Sequence, residues 1–253
     1  MEKLNYKKIN EYIADNVINL FYIKRLEKLK SAKLLTIIKR KNPYLFKAKN
    51  IETAGDLAEN ILNAFLSSQE ETIFGNLMEQ LAIFICNMKF SGKKAEQGKY
   101  SSVDLIFERE NKIYIVGIKS GTNWVNKDQL DIMRKNFKKI SATFKPKRKN
   151  KEIIFVNGCM YGKDNNPFKI SKNIEHQNYY KICGQSFWEL ISGDNQLYKK
   201  IIHPLDKEAK KKSANFKKLY NNKINEMTKD ILDNFCTHNS LNWDALLDYT
   251  SKS

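Results

Sequence analysis

Residues 101–126, SSVDLIFERENKIYIVGIKSGTNWVN, constrain the fold of this chain more than any other stretch. Two β-like runs, near 102–108 and 112–119, are joined by ERENK, a polar connection short enough to make an antiparallel hairpin. Asp104 stands near the start of the first run and Lys119 ends the second. A turn centred between Glu110 and Asn111 sets Asp104 opposite Gly117 and Ser102 opposite Lys119. Side chains repeat every second residue along a strand, so this register puts Asp104 and Lys119 on one face of the sheet. A helix is expected over 127–140, Ile153–Asn157 (IIFVN) reads as a buried strand, and Tyr179–Ile182 as a further one. Strand, strand, helix, strand in this order predicts an α/β fold, a mixed central sheet flanked by helices.

The flanking sequence adds helices at both ends. Apolar positions between Ile9 and Ile38 recur at helical spacing and predict two helices that end before Pro43. The same spacing predicts separate helices from Thr53 to Leu66 and from Glu70 to Met88, the second capped by Ser67 or Ser68. Residues 186–202 read as a short helix, a Ser-Gly-Asp turn and another helix. Beyond Pro204, Phe216, Leu219, Tyr220, Ile224, Met227, Ile231, Leu232 and Phe235 mark a long amphipathic helix that either packs on the core or forms a dimer seam. The expected organisation is a basic helical region over 1–50, a catalytic core over 51–203 and a helical region over 204–253.

The formal charge of +17 makes a polyanion the default partner. Both ends of the chain carry the excess of base, whereas residues 51–137 hold slightly more acid than base. That layout suits outer parts that grip phosphates around a centre that keeps carboxylates for metal; the alternative is that the lysine-rich composition partly reflects an AT-rich genome. The four cysteines form no CxxC pair and stand at no zinc-ligand spacing from His176, His203 or His238, which argues against a zinc site. Met1–Asn10 is polar, so no signal peptide is expected, and no apolar run is long enough to cross a bilayer. A cytoplasmic protein without membrane partners is the simplest assignment.

Three residues carry candidate chemistry. Asp104 lies in the apolar run VDLIF, where a carboxylate costs free energy unless it binds a cation or donors; it is either a metal ligand or a strand-end acid facing water. Lys119 taken alone reads as an edge lysine that keeps the sheet soluble. Glu79 lies among Leu77, Leu81 and Ala82, on the wet face of its helix or held inward for a reason. Carboxylates and a lysine gathered at a sheet edge supply a site for a divalent cation and a positive charge against water or phosphate. Ser120, Gly121, Asn123, Trp124 and Asn126 follow Lys119 directly. Small residues there let backbone N–H groups approach a phosphate, and Asn123 or Asn126 has the donors for a phosphate or a base edge, whereas Trp124 reads best as a core anchor. Arg40, Lys41, Lys47 and Lys49, interleaved with Tyr44 and Phe46, form either a backbone-contacting segment or a solvated loop. Arg148, in the run KPKRKNK, reads as a DNA-backbone contact.

With VDLIF at 103–107 and VGIKSGTNWVN at 116–126, the sequence resembles the PD-(D/E)xK nuclease superfamily, and more narrowly its type II restriction endonucleases. KRKNPYLFKAKN, SSQEETIFGNLMEQLAIF and FWELISGDNQLYKKI also look like segments of such enzymes, so the resemblance spans most of residues 39–202. It implies Mg²⁺ as cofactor, a homodimer on a roughly palindromic double-stranded DNA site, and hydrolysis of one phosphodiester in each strand. Asp104 is then a metal ligand, Lys119 the residue that orients or helps deprotonate the attacking water, and Glu79 a further metal ligand, directly or through water. Ser120, Asn123, Asn126, Lys41 and Arg148 are the expected DNA contacts, and a cognate DNA methyltransferase is the expected genetic partner. One position departs from the pattern: Gly117 stands two before Lys119, where an acid belongs. Glu79 is the first candidate to replace it, because a glycine opposite Asp104 leaves room for a side chain from a neighbouring helix; Asp128 and Asp131 come second. Two alternatives stay open, a repair or recombination nuclease on the same core and a DNA-binding protein whose catalytic site has decayed.

Overall fold

The computed structural model describes residues 4–95, 102–122, 127–144, 151–163 and 178–252. In chain order the elements are α1 (Tyr6–Tyr12), a π-helical stretch (Ile13–Asn19), α2 (Leu20–Ser31), α3 (Leu34–Ile38), α4 (Pro43–Ala48), α5 (Ala54–Phe90), β1 (Lys93–Lys94), β2 (Leu105–Arg109), β3 (Lys112–Lys119), α6 (Lys127–Phe144), β4 (Glu152–Cys159), β5 (Asn178–Cys183), α7 (Gln185–Ser192), α8 (Leu197–Lys200), α9 (Ile202–Phe235), β6 (Cys236–Thr237), β7 (Ser240–Leu241) and α10 (Trp243–Ser251). The chain divides into two compact units, residues 1–17 with 75–205, and residues 18–74 with 206–253.

The first unit is built on a five-stranded sheet of order β1-β2-β3-β4-β5, antiparallel from β1 to β3 and parallel from β3 to β5. Glu110 and Asn111, at φ 52° and 60°, make the tight turn of the β2–β3 hairpin, a geometry whose twist matches that of the flanking strands. In β3 every residue from Ile113 to Ile118 is buried, as a strand covered on both faces must be. One face carries Ile113, Ile115 and Phe155 against Met133, Phe137 and Ile140 of α6, with the Phe137 and Phe155 rings stacked at 4.9 Å. On the other face Leu105 lies near Cys86 of α5, and Val116 near Phe187 of α7. The Trp188 indole donates to the Met160 carbonyl at 2.9 Å and so pins α7 to the end of β4. Asp194, bonded by both the Tyr6 hydroxyl and the Lys200 ammonium, ties α1 to the turn between α7 and α8.

The second unit is helical apart from the β6–β7 ribbon, whose turn at His238 and Asn239 is left-handed. Leu57, Ile61, Leu62, Leu29, Leu34, Ile38, Phe216, Met227 and Ile231 form its core. Arg25 reaches Glu70 at 2.5 Å and lies 3.5 Å above the Phe216 ring, where its guanidinium is both paired and stacked.

Helix boundaries differ from the periodicity reading at several places: residues 6–38 hold four helical elements instead of two, α4 starts at Pro43 where a loop was expected, α6 runs on to Phe144, and α10 was not expected. α5 runs unbroken through Ser67 and Ser68, where two helices were expected, and Thr72 bonds back to the Ser68 carbonyl at 3.1 Å. A serine caps only where the chain ahead of it leaves the helix, and no proline or glycine in 56–74 forces that exit. α9 begins before Pro204 because a proline in the first turn lacks only an N–H that has no intrahelical partner there.

Candidate active site

The ladder between β2 and β3 pairs Leu105 with Val116 and Arg109 with Lys112, the register expected from the turn. At Asp104 that register slips by one residue: the Asp104 N–H donates to the Val116 carbonyl at 2.9 Å, although Leu105 already stands opposite Val116. Two residues facing one is a β-bulge, a device that re-aims a side chain. Its effect is visible on both sides of Asp104. Val103 falls into the cluster under α6, and the Asp104 carboxylate turns toward the end of β3, where Oδ2 accepts from the Ile118 N–H at 2.6 Å. The expectation that Asp104 faces Gly117 is therefore replaced by a carboxylate that caps the next free donor of β3.

Gly117 is required by sterics. A Cβ built there would lie 2.7 Å from the Ser102 carbonyl oxygen and 3.3 Å from Met133 Cε. The strand has no Cβ at 117 because the chain entering the bulge crosses over it, so the glycine leaves no slot for a descending acid. Glu79 reaches the end of β3 by another route. Gly75, one turn earlier on α5, sits against Ser120; a Cβ at 75 would lie 2.6 Å from Ser120 Oγ. Residues four apart share a helix face, so this close approach brings the side of α5 that carries Glu79 to the residue following Lys119.

Electrostatics links the three residues. The Glu79 carboxyl is half-buried, and its pKa is raised by desolvation and then by the negative charge of Asp104, against the opposing pull of Lys94 and Lys119. A carboxyl group whose ionisation a second carboxylate opposes, with ammonium groups close enough to counteract, makes an arrangement that a cation relieves. Gln80 adds a donor to Glu79 Oε1 at 3.3 Å. Among the described residues no group of three or more His, Cys, Asp or Glu side chains that could hold a metal ion gathers, and Asp104 and Glu79 are the carboxyl groups whose charges interact. Such a donor set fits Mg²⁺, which is commonly held by one or two carboxylates with water and substrate oxygens completing the shell.

The other expected residues are spread more widely. Ser120 is half-buried beside Gly75, and its carbonyl accepts from Tyr161 N at 3.1 Å. Lys41, in the second unit, is half-buried and donates from Nζ to the Ala64 carbonyl at 2.9 Å. Asp128 is exposed and Asp131 half-buried on α6. Glu108 is paired with Lys151 at 2.5 Å. Asn123, Trp124, Asn126 and Arg148 lie outside the described residues. Two further features of the sheet escaped the sequence reading. Lys94 sits in a two-residue strand whose lysine pair has no apolar alternation to signal it. Asn157 is in register with Gly117, 1 % exposed, with no hydrogen-bond partner on Oδ1; its sequence signal is a lone amide ending the apolar run IIFV.

Residues 7–213 match the family model for type II restriction endonuclease EcoO109I. No curated protein matches the chain. Among the described residues no helix is long and apolar enough to cross a membrane.

Proposed function

Because the chain belongs to the family of type II restriction endonuclease EcoO109I, a site-specific deoxyribonuclease acting on DNA, we propose that it cuts both strands of a specific duplex site with Mg²⁺, using Asp104, Glu79 and Lys119. Type II restriction endonucleases generally use divalent metal ions; Mg²⁺ is the ion proposed here because both protein donors are carboxylates. The observation that carries the reading is the Asp104 carboxylate turned onto Ile118 N, next to Lys119 at the end of β3, in a chain that matches the family over residues 7–213.

Asp104 and Glu79 hold the metal, with the plane of the Asp104 carboxylate fixed by Ile118 N. A bound magnesium ion polarises phosphoryl oxygens and favours ionisation of nearby water. Lys119 orients the attacking water, assists its deprotonation and offsets charge on the phosphorane. In the hydrolysis the water oxygen bonds to phosphorus, one ester P–O bond breaks, the water proton leaves to solvent, and the departing alkoxide gains a proton. Ser120, Asn123 and Asn126 are proposed to contact DNA beyond Lys119, with Lys41 and Arg148 as backbone contacts. A homodimer on a roughly palindromic site and a cognate methyltransferase complete the proposal, since one such site per chain cuts one strand.

Plasmid digestion tests it. Discrete fragments in Mg²⁺, none in EDTA, and loss of cutting with retained binding in Asp104→Ala and Lys119→Ala are expected. Structure-dependent nicking points instead to a repair or recombination nuclease, and retardation without cleavage to a decayed site.

A further inference from the structure

A groove of about 410 Å³ has Gln80, Phe84 and Asn87 of α5 along one wall and Lys93 and Lys94 of β1 along the other, and Gln80 is the residue that donates to Glu79 Oε1. Tyr12 stacks on Phe84 at 4.1 Å and closes its apolar side. The basic wall is held in place by backbone. Ser91 N bonds to the Asn87 carbonyl at 2.9 Å, Gly92 N to the Cys86 carbonyl at 3.2 Å, and Asn87 Nδ2 to the Gly92 carbonyl at 3.0 Å, which fixes the turn from α5 into β1. β1 then pairs Lys94 with Leu105, and the next residue, Ala95, donates to the Asp104 carbonyl at 3.2 Å. Opposed residues of an antiparallel ladder share a face, and Leu105 faces α5. Lys94 therefore stands on the α5 side of the sheet, the side of Glu79, one residue from the bond that ties β1 to Asp104.

We propose that Lys94 is a second phosphate-binding cation of this site, contacting a backbone phosphate of the strand being cut, and that the groove seats the adjoining nucleotide. The inference rests on the proposed roles of Asp104, Glu79 and Lys119 and extends them by one residue. A divalent cation cancels the charge of the two carboxylates, so the chain's own cations must meet the charge of the phosphate. That charge is one unit in the diester and two in the phosphorane formed by attack, and Lys119 supplies only one positive charge against it. Lys94 supplies the other. Its side chain is exposed and lines the groove whose other wall carries Gln80, the residue that donates to Glu79 Oε1. Lys93, on the opposite face of β1 at the rim of the groove, is positioned for a neighbouring phosphate.

The test compares Lys94→Ala, Lys94→Arg and Asp104→Ala in the full chain, on a plasmid that the wild type cuts in Mg²⁺ and on a fragment of it carrying the mapped site. For Lys94→Ala the single-turnover rate should fall about 100-fold, the scale of losing one preorganised charge-stabilising donor, and Lys94→Arg should restore most of it. In Ca²⁺, the slope of log affinity against log salt should shrink by about one, the value for one lost phosphate contact; a lysine that only balanced Glu79 would leave that slope unchanged. Wild-type rate and slope for Lys94→Ala, with Asp104→Ala inactive, overturn this inference alone. Cutting by Asp104→Ala overturns the underlying reading of the site.

Discussion

Restoring an acid at position 117 should inactivate the protein. In the family pattern an acid belongs two residues before Lys119, so a sequence argument expects Gly117→Glu to repair the site. The structure predicts the reverse, because a Cβ at 117 would lie 2.7 Å from the Ser102 carbonyl oxygen, inside any ordinary contact, and the obstacle is backbone. Even Gly117→Ala must push Ser102 back by several tenths of an ångström, and Ser102 holds a left-handed φ of 68° two residues before Asp104. Overpacking of this kind costs about 1–3 kcal/mol, offset by roughly 0.5–1 kcal/mol gained when alanine replaces glycine within an element. A net loss of about 1–2 kcal/mol should lower Tm by about 2–4 °C per kcal/mol for a chain of this size. The catalytic loss should be larger, since misplacing a reacting group by about 1 Å costs on the order of 100-fold. Gly117→Glu adds a carboxylate aimed at Met133 and Phe137, so it should be the less stable of the two and cut no faster. Thermal melts with single-turnover digestion of a plasmid substrate measure both quantities. A Gly117→Glu protein that melts with the wild type and cuts as fast or faster would refute the reasoning.

Other consequences concern charge and burial. Burial, then Asp104, raises the pKa of Glu79, so its folded value lies above its unfolded one. Its contribution to stability is present below the unfolded carboxylate pKa and is lost as pH rises through the folded value. Metal-free Glu79→Gln should therefore melt higher than wild type at neutral pH and level with it near pH 4, and melts in EDTA at the two pH values check the sign. Asn157→Leu removes a buried acceptor without a partner, so stability should hold or rise by about 1 kcal/mol in denaturant unfolding, the scale of an unsatisfied polar group; a loss of that size would mean the amide has a partner in solution.

Much of the sheet was legible because period and turn chemistry are local. The turn at Glu110 and Asn111 sets the ladder from Leu105 to Arg109, and the apolar run IIFVN marked β4, although the strand extends to Cys159. The bulge at Asp104 was not legible, since nothing in SSVDL distinguishes a regular strand from one that holds a residue out of register; the offset arises from the crossing of Ser102 over Gly117, a tertiary contact. Glu79 stands out by its apolar surroundings, but Gly117 has no open space above it to admit the side chain; Gly75 packing on Ser120 is what brings α5 to the end of β3. Lys94 was missed because two lysines between a glycine and an alanine look like loop, and only the pairing with Leu105 reveals a strand. The unbroken α5 has the same lesson in reverse, since serine residues that can cap a helix also tolerate its interior.

The account stands on Glu79 and Asp104 sharing one divalent cation at the foot of β3, and Mn²⁺ titration followed by electron paramagnetic resonance asks this without requiring cleavage. Wild-type protein should take up Mn²⁺, and Glu79→Gln and Asp104→Asn should each weaken that uptake by at least about 10-fold, the least that loss of even an outer partner of a metal site costs. Uptake by Glu79→Gln equal to that of wild type would contradict it.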